Sequence, residues 1–522
     1  MLRANIFLYL SILTACLISC DHSREESRNP NIIYILADDL GYGDIGILNP
    51  ESKFSTPYID QLAKDGIIFT DAHTSSAVCT PTRYGIVTGR YNWRSRLKSG
   101  VLSGKAKALI PPSRVTVASL LKKVGYHTAF MGKWHLGWDW DITDSLNLNN
   151  LNYEPKDFGA IDFTKPISNS PNDLGFDYTK GIPASLDIPP YVYVENERVS
   201  GLPDKVTVDK GKYSWWREGP TGSDFVHEQV TPNLFEWTDQ YVREKAKDEN
   251  PFFLYLALPS PHTPILPTEE WQDKSGLLPY TDFVMMIDDY VGKLDKTLKE
   301  LGIEDNTMII FTSDNGCSPA AGIDELIEMG HHPSYHFRGH KADIYEGGHR
   351  VPFFVKWPSK IKKGQISDQI ICTTDLMATL ADITGTVLKD NEGEDSFSML
   401  PFLTGEDPKT PRTSIIHHSI NGSFAIRKGD WKLIMAPGSG GWSYPRPGRD
   451  LAVLDTLPPV QLYNLSNDPG ETTNLQAANP DVVNELKSLL IDQIKNGRTT
   501  PGSPQANDPI DFEWKQIRFI ND

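Results

Sequence analysis

Several stretches of this sequence carry side chains that could do chemistry if the fold gathered them. Asp38 and Asp39 stand directly after the apolar run Asn31–Ala37, Asp314 and Asn315 follow the run 307–312, and His262 follows the run 251–258. Carboxylates, an amide and an imidazole in such places can meet a ligand, because open α/β sheets bind ligands beyond the carboxyl ends of their strands. Taken alone, Asp-Asp-Leu-Gly and Ser-Asp-Asn-Gly read more simply as turns, which these residue types favour. Lys133 and His135 are two residues apart, and an extended backbone would turn both to one face. The most specific string is Cys79-Thr80-Pro81-Thr82-Arg83. Alone, it also fits a buried cysteine before a Thr-Pro helix start.

The elements that must position these residues alternate. The apolar runs at 31–37, 251–258, 307–312 and 351–357 are nearly continuous, which implies strands covered on both faces. Helical patterns lie between them, at 56–65, 115–124 and 282–301. Alternation of this kind predicts an α/β fold. The stretch 139–218, rich in Asn, Asp, Pro, Gly and aromatics, reads as long surface excursions of the kind that build substrate pockets. From about Arg412 the pattern changes to short strands near 414–418, 424–426, 431–435 and 460–463, then a helix over 482–496. This predicts a smaller C-terminal α+β subdomain.

The chain has 522 residues and a net charge of -17, with 39% hydrophobic and 23% charged residues. It is long enough for two domains. The acidic balance argues against nucleic acid as a partner while leaving room for a local basic pocket. The five cysteines form no CxxC pair, which excludes a dense disulfide framework and a zinc–cysteine cluster. Arg3 and the apolar run 6–18 read as an export leader, too short to span a bilayer. Leu17-Ile18-Ser19-Cys20 is similar to a lipobox, so residues 1–20 are expected to be removed before a lipid-bearing Cys20, with 21–29 as a tether. Lipid anchoring places the body in the periplasm or on the surface of a Gram-negative bacterium.

Together these stretches resemble the formylglycine-dependent sulfatase family, whose signature is Cys-x-Pro-x-Arg. The likeness covers nearly the whole chain after the leader. In that family the fourth position is more often Ser or Ala, and here it is Thr82. The resemblance implies an alkaline-phosphatase-like large mixed sheet flanked by helices (residues 30–411), followed by the smaller α+β subdomain (412–522). It implies that a maturation enzyme oxidises Cys79 to formylglycine, whose hydrated form supplies the nucleophilic hydroxyl. Asp38, Asp39, Asp314 and Asn315 match the family's metal ligands, with residue 79 completing part of the shell. Such hard oxygen ligands suit calcium or magnesium, and the family uses calcium. Three aspartates without a cation would repel one another.

Gly132-Lys133-Trp134-His135-Leu136-Gly137, Ser260-Pro261-His262-Thr263-Pro264 and Arg338-Gly339-His340-Lys341 resemble further family motifs. They imply that Lys133 binds the sulfate and that His135 is the base that releases it from the enzyme. His262 and Lys341 attend the bridging oxygen, and Arg83 holds the nucleophile. The stretch 175–187 is similar to arylsulfatase and N-acetylgalactosamine sulfatase branches. This points to a sulfated glycan, with exo-type removal of 6-O-sulfate, or else 4-O-sulfate, from galactose or N-acetylgalactosamine. Candidate sugar contacts are Asp187, His227, His332, His336, His349 and Trp442. The alternatives are a phosphodiester or phosphonate hydrolase of the same superfamily and a silent glycan-binding lipoprotein.

Overall fold

In a computed structural model the described residues are 29–143 and 146–520. The leader, Cys20 and all of the tether but its last residue lie outside them. Among the described residues no helix is long and apolar enough to cross a membrane.

The main body is a ten-stranded mixed sheet. At its centre Thr307–Ser313, Asn31–Ala37, Phe252–Ala257 and His127–Lys133 run parallel in that spatial order, followed by Tyr178–Ile182. Phe353–Lys356 pairs antiparallel on the other side of Thr307–Ser313. Alternating residues of the central strands feed two cores. Ile32, Tyr34 and Leu36 pack with Tyr255, Phe130 and the helix Val117–Lys122. Ile33, Ile35 and Ala37 pack with Leu254, Met131 and the helices Pro57–Lys64 and Pro279–Glu300. Burial on both faces explains why these strands are apolar throughout, since each fully buried Leu or Ile stabilises by roughly 1.5–3 kcal/mol. The expected strands and helices at these places are present, with ends shifted by a few residues.

The stretch 139–218 departs from its expectation. It is not only surface: Trp140, Tyr153, Ile161, Leu174 and Phe176 enter the first core, and Tyr178–Ile182 joins the sheet. Its aromatic side chains carry enough apolar area to bury despite the Asn, Asp and Gly around them. The hairpin Pro203–Asp209 with Trp216–Gly222 follows.

The C-terminal part is a four-stranded antiparallel sheet, Ile415–His418, Phe424–Lys428, Trp431–Ile434 and Gln461–Asn464. The helix Pro480–Lys495 covers it through Leu486, Leu490 and Ile494, and Tyr91 and Trp93 from the main body sit in the same core.

Candidate active site

Cys79 opens the helix Cys79–Thr88, every residue of which is buried. The spacing in Cys-Thr-Pro-Thr-Arg then has a physical reason. Arg83 lies four residues on, one turn further along the same face. Pro81 falls in the first turn, where no intrahelical N–H is required. Thr80 Oγ1 donates to the His135 carbonyl (2.9 Å), and Thr82 Oγ1 to the Ser76 carbonyl (3.0 Å). Thr82 therefore puts its hydroxyl to use within the fold. Gly89 ends the helix at φ 62°, in the left-handed region that glycine tolerates.

The carboxyl ends of the central strands converge on this helix. Asp38 and Asp39 follow the first strand, and Asp314 and Asn315 follow the strand beside it. Cys79 Sγ lies 3.7 Å from Asp38 Oδ1. Asp38, Asp39, Cys79 and His262 each bring a ligand atom within 4.8 Å of the others. Asp314 Oδ1 accepts from the Asp39 N–H at 3.3 Å, and Asn315 Nδ2 donates to Asp39 Oδ1 at 2.7 Å. Cations interleave with these acids. Lys133 Nζ reaches Asp38 at 2.5 Å and Lys341 Nζ reaches Asp39 at 2.7 Å. Arg83 donates through Nε to Asp314 (2.9 Å) and through Nη1 to the Lys133 carbonyl (2.6 Å). It thus ties the helix to two strand ends. Gly132, at φ 118°, lets its strand lie close against the neighbouring one: a Cβ there would stand 1.9 Å from the Ala257 carbonyl oxygen.

The electrostatics are those of a site built for a small cation. Burial works against ionising Asp38, but Lys133, His262, Arg83 and Lys341 outweigh it and hold this carboxyl far below the usual range. Asp314 moves the other way, to about 6, through burial and the negative charge of Asp38. The Asn315 Oδ1 atom is buried without a hydrogen-bond partner. Competing carboxylates and an unpartnered carbonyl oxygen form a donor set of hard oxygens that fits a divalent cation. The Cys79 thiol is pushed up to about 12 by burial, so it is not a ready thiolate nucleophile as it stands.

The histidines differ from the expectation in one respect. His135 does not continue an extended backbone: its φ is 56°. Its Nε2 faces the Leu102 carbonyl at 2.8 Å, which can only accept, so Nε2 carries the proton and Nδ1 is the free acceptor. Nδ1 is buried and unpartnered. Burial and then Lys133 lower the His135 pKa well below the usual value, leaving the ring neutral. His262 Nδ1 faces the Thr263 carbonyl at 2.5 Å, which turns Nε2 toward Asp39, 3.6 Å away.

The six candidate sugar contacts do not come together. Asp187 does reach the site, with Oδ1 3.9 Å from His262 Nδ1. Arg217, which the sequence analysis did not single out, ion-pairs with Asp187; the adjacent Trp215-Trp216 was the available signal. His227 stacks on Trp216 at 3.9 Å, and burial drops its pKa to about 3. Trp442 stands in a cavity beside His340. His332 and His336 are exposed on the loop before Arg338. His349 is wholly buried against His73, His417 and Lys432 in a separate cluster, where no sugar can reach it.

The comparisons agree with this geometry. The family model described as Sulfatase matches residues 30–386. An N-acetylgalactosamine-6-O-sulfatase of Bacteroides thetaiotaomicron is 36% identical, over 92% of this chain and 96% of that protein. Human arylsulfatase A is 32% identical, over 89% of this chain and 88% of its own. A solved structure from work on glycosaminoglycan metabolism by Bacteroides thetaiotaomicron superposes with a TM-score of 0.76 at 34% identity. It covers 89% of this chain and 99% of its own.

Proposed function

The chain belongs to the sulfatase family and is a sulfuric ester hydrolase acting on glycans; we propose that it removes 6-O-sulfate from a terminal N-acetylgalactosamine or galactose. The observation that carries this reading is the convergence of the Cys79 helix on three strand-end aspartates and three cations, in a chain similar to an N-acetylgalactosamine-6-O-sulfatase.

The groups that would complete the site are formylglycine at position 79, whose hydrate would supply the nucleophilic hydroxyl, and calcium, which would neutralise charge around sulfur. Asp38, Asp39, Asp314 and Asn315 are the residues that would hold the metal, together with residue 79. Lys133 and Lys341 are pre-placed ammonium groups. When a sulfate ester enters they bind its oxygens, and so stabilise charge where it develops at the transition state. Arg83 keeps Asp314 and the Lys133 backbone in register with the nucleophile helix. His262 presents Nε2 toward the departing sugar oxygen, and with Lys341 delivers the proton that the alcohol needs. His135, neutral and with Nδ1 unpartnered, is the group that would take up a proton at that nitrogen when sulfate is released. Asp187, held by Arg217, lies where a sugar hydroxyl would meet it.

Around this site we infer a lipid anchor at Cys20, a periplasmic or surface location, and a maturation enzyme acting on Cys79. Membrane-extracted protein should yield an acylated Cys20 peptide. The substrate reading is tested by chromatography of defined monosulfated sugars after incubation with protein whose residue 79 is shown by mass spectrometry to be formylglycine. Release from N-acetylgalactosamine 6-sulfate and galactose 6-sulfate supports it. Release only from glucosamine or uronic acid sulfates overturns it, and activity only on internal residues of intact chains overturns the exo assignment.

A further inference from the structure

A cavity of about 550 Å³ opens where the two parts of the chain meet. The main body supplies Tyr213, Glu325 and His340, and the C-terminal part supplies Trp442, Tyr444 and Arg446. It adjoins both groups proposed to attend the bridging oxygen. His340 immediately precedes Lys341. Tyr213 offers its carbonyl to Thr263 Oγ1 at 3.3 Å, next to His262.

The wall is mounted on the catalytic segment through one carboxylate. Asp343 accepts from the Trp442 N–H (2.8 Å), the Ser443 N–H (3.0 Å) and the His340 N–H (3.1 Å). His340 Nε2 in turn meets Ser443 Oγ at 3.1 Å. The Trp442 wall and the Lys341 ammonium are therefore fixed relative to each other.

The contents of the cavity point to a carbohydrate. Trp442 is half-buried and Tyr444 is 65% exposed, which leaves aromatic surface for a sugar face. Lys212 is ion-paired with Glu325 at 2.5 Å. The exposed Arg446 has no carboxylate at its guanidinium among the described residues, since Asp450 is engaged with its backbone N–H. A second cavity, beside Trp215 and Arg217, also borders the site, but there the guanidinium is already neutralised by Asp187.

We propose that the Trp442–Arg446 cavity is a subsite for the sugar next to the sulfated one, and that it selects an acidic sugar. Trp442 and Tyr444 cover an apolar sugar face and Arg446 pairs with the carboxylate. Placement of a binding pocket at a junction between two parts of a chain is common. The inference rests on the exo-acting sulfatase reading above, because only then does the glycan leave the catalytic pocket in one direction.

The test compares two probes with the fully matured enzyme. One is N-acetylgalactosamine 6-sulfate alone. The other is a chondroitin 6-sulfate trisaccharide in which that residue is terminal and followed by glucuronate. The readout is the ratio of kcat/KM on the trisaccharide to kcat/KM on the monosaccharide. Arg446→Ala and Trp442→Ala should each lower this ratio about tenfold, as expected for one charge-assisted or stacking contact. Trp215→Ala should not. When the glucuronate carboxyl is reduced to an alcohol, Arg446→Ala should no longer change the ratio while Trp442→Ala still does. Thermal unfolding of each variant separates a lost contact from a lost fold, and Tyr444→Ala gives an independent reading at an exposed position. Monosaccharide turnover with a ratio unmoved in all three cavity variants, or moved only by Trp215→Ala, overturns the subsite and leaves the sulfatase reading intact. Release from neither probe by the wild type overturns the substrate reading and the subsite with it.

Discussion

His73 and Cys79 are near neighbours in sequence, yet they belong to two buried polar clusters of opposite character. Around His73, a chain of side chains closes on itself, with the Nε2 of the neighbouring His417 as the one ring nitrogen of the three histidines left unpartnered. Lys432 Nζ lies 3.0 Å from Glu346 and 3.0 Å from His349 Nε2. His349 Nδ1 meets His73 Nδ1 at 3.0 Å, and His73 Nε2 meets Asp71 at 2.7 Å. An ammonium only donates and a carboxylate only accepts, so the protons on this chain have one consistent order, from Lys432 toward Asp71. His349 also stacks on His417 at 3.8 Å with planes 10° apart, a contact of two neutral rings. His73, His349 and His417 have the proximity of a metal triad. Parallel rings cannot both aim their lone pairs at one ion, and Lys432 already occupies His349. Around Cys79, by contrast, Asn315 Oδ1, His135 Nδ1 and Asp187 Oδ1 have no hydrogen-bond partner. Burial and charge are common to both clusters. Several unpartnered acceptors beside a group of carboxylates and ammonium groups mark the Cys79 cluster, whereas around His73 a single ring nitrogen, His417 Nε2, is left over.

The largest effect that separates them is on turnover. Cys79→Ala should reduce sulfate release by at least ~10⁴-fold, since it removes the nucleophile while the helix that carries it remains. Far-UV circular dichroism should be unchanged, and loss of the folded spectrum would show instead that position 79 is structural. Lys432→Met should do the reverse. It leaves the buried Glu471 without its cation and Glu346 with Arg350 alone, costing about 3–5 kcal/mol in denaturant unfolding. A cost below about 1 kcal/mol would mean that the His73 cluster is not closed as described.

The next effect is one of pH. Burial first, and then the neighbouring histidine and Lys432, hold His349 and His417 well below the ordinary histidine value, and burial also lowers His73. A base depressed in the fold binds fewer protons than in the unfolded chain. Its stability contribution is therefore complete above about 6.5 and is lost as pH falls from there toward the folded values. Acid should loosen the contact between main body and C-terminal sheet, read as a midpoint of thermal unfolding that drops below pH 6.5. His417→Phe should flatten that slope, and an unaltered slope would assign the acid sensitivity elsewhere. The smallest effect is Thr82→Ser. Its hydroxyl can still reach the Ser76 carbonyl, so turnover and stability should stay within about 0.5 kcal/mol of wild type. A larger loss would make the threonine methyl, rather than the hydroxyl, the reason for the residue.

What the sequence made legible follows the physics of each residue. Asp38, Asp39 and Asp314 could be located because an apolar strand stops abruptly, and a polar residue at such an end has few places to go. Cys79 and Arg83 were legible only through the Cys-x-Pro-x-Arg resemblance, and the structure adds that they stand one helical turn apart. The turn at His135 was not legible, because His135 is held by distant backbone, its N–H on the Pro183 carbonyl and its ring on the Leu102 carbonyl. His349 was misread for a related reason. A histidine beside Glu346-Gly347-Gly348 has the same local sequence whether it faces a sugar or Lys432, which lies 83 positions away. The core role of 139–218 was hidden because its Asn, Asp and Gly mark loops correctly while its aromatics bury in between.

The burial of Cys79 also sets an order of events in time. In the finished fold residue 79 is 2% exposed and is already part of a helix. An enzyme that modified it would have to grip the chain before that helix forms. The segment just downstream is locked late: Tyr91 Oη receives the Ile416 N–H, 325 positions further along, and Trp93 packs on Phe424. While the chain is still emerging, the partners that seal this segment do not yet exist. Late arrival of the C-terminal sheet would thus hold a window open for such an enzyme, and its docking would shut it.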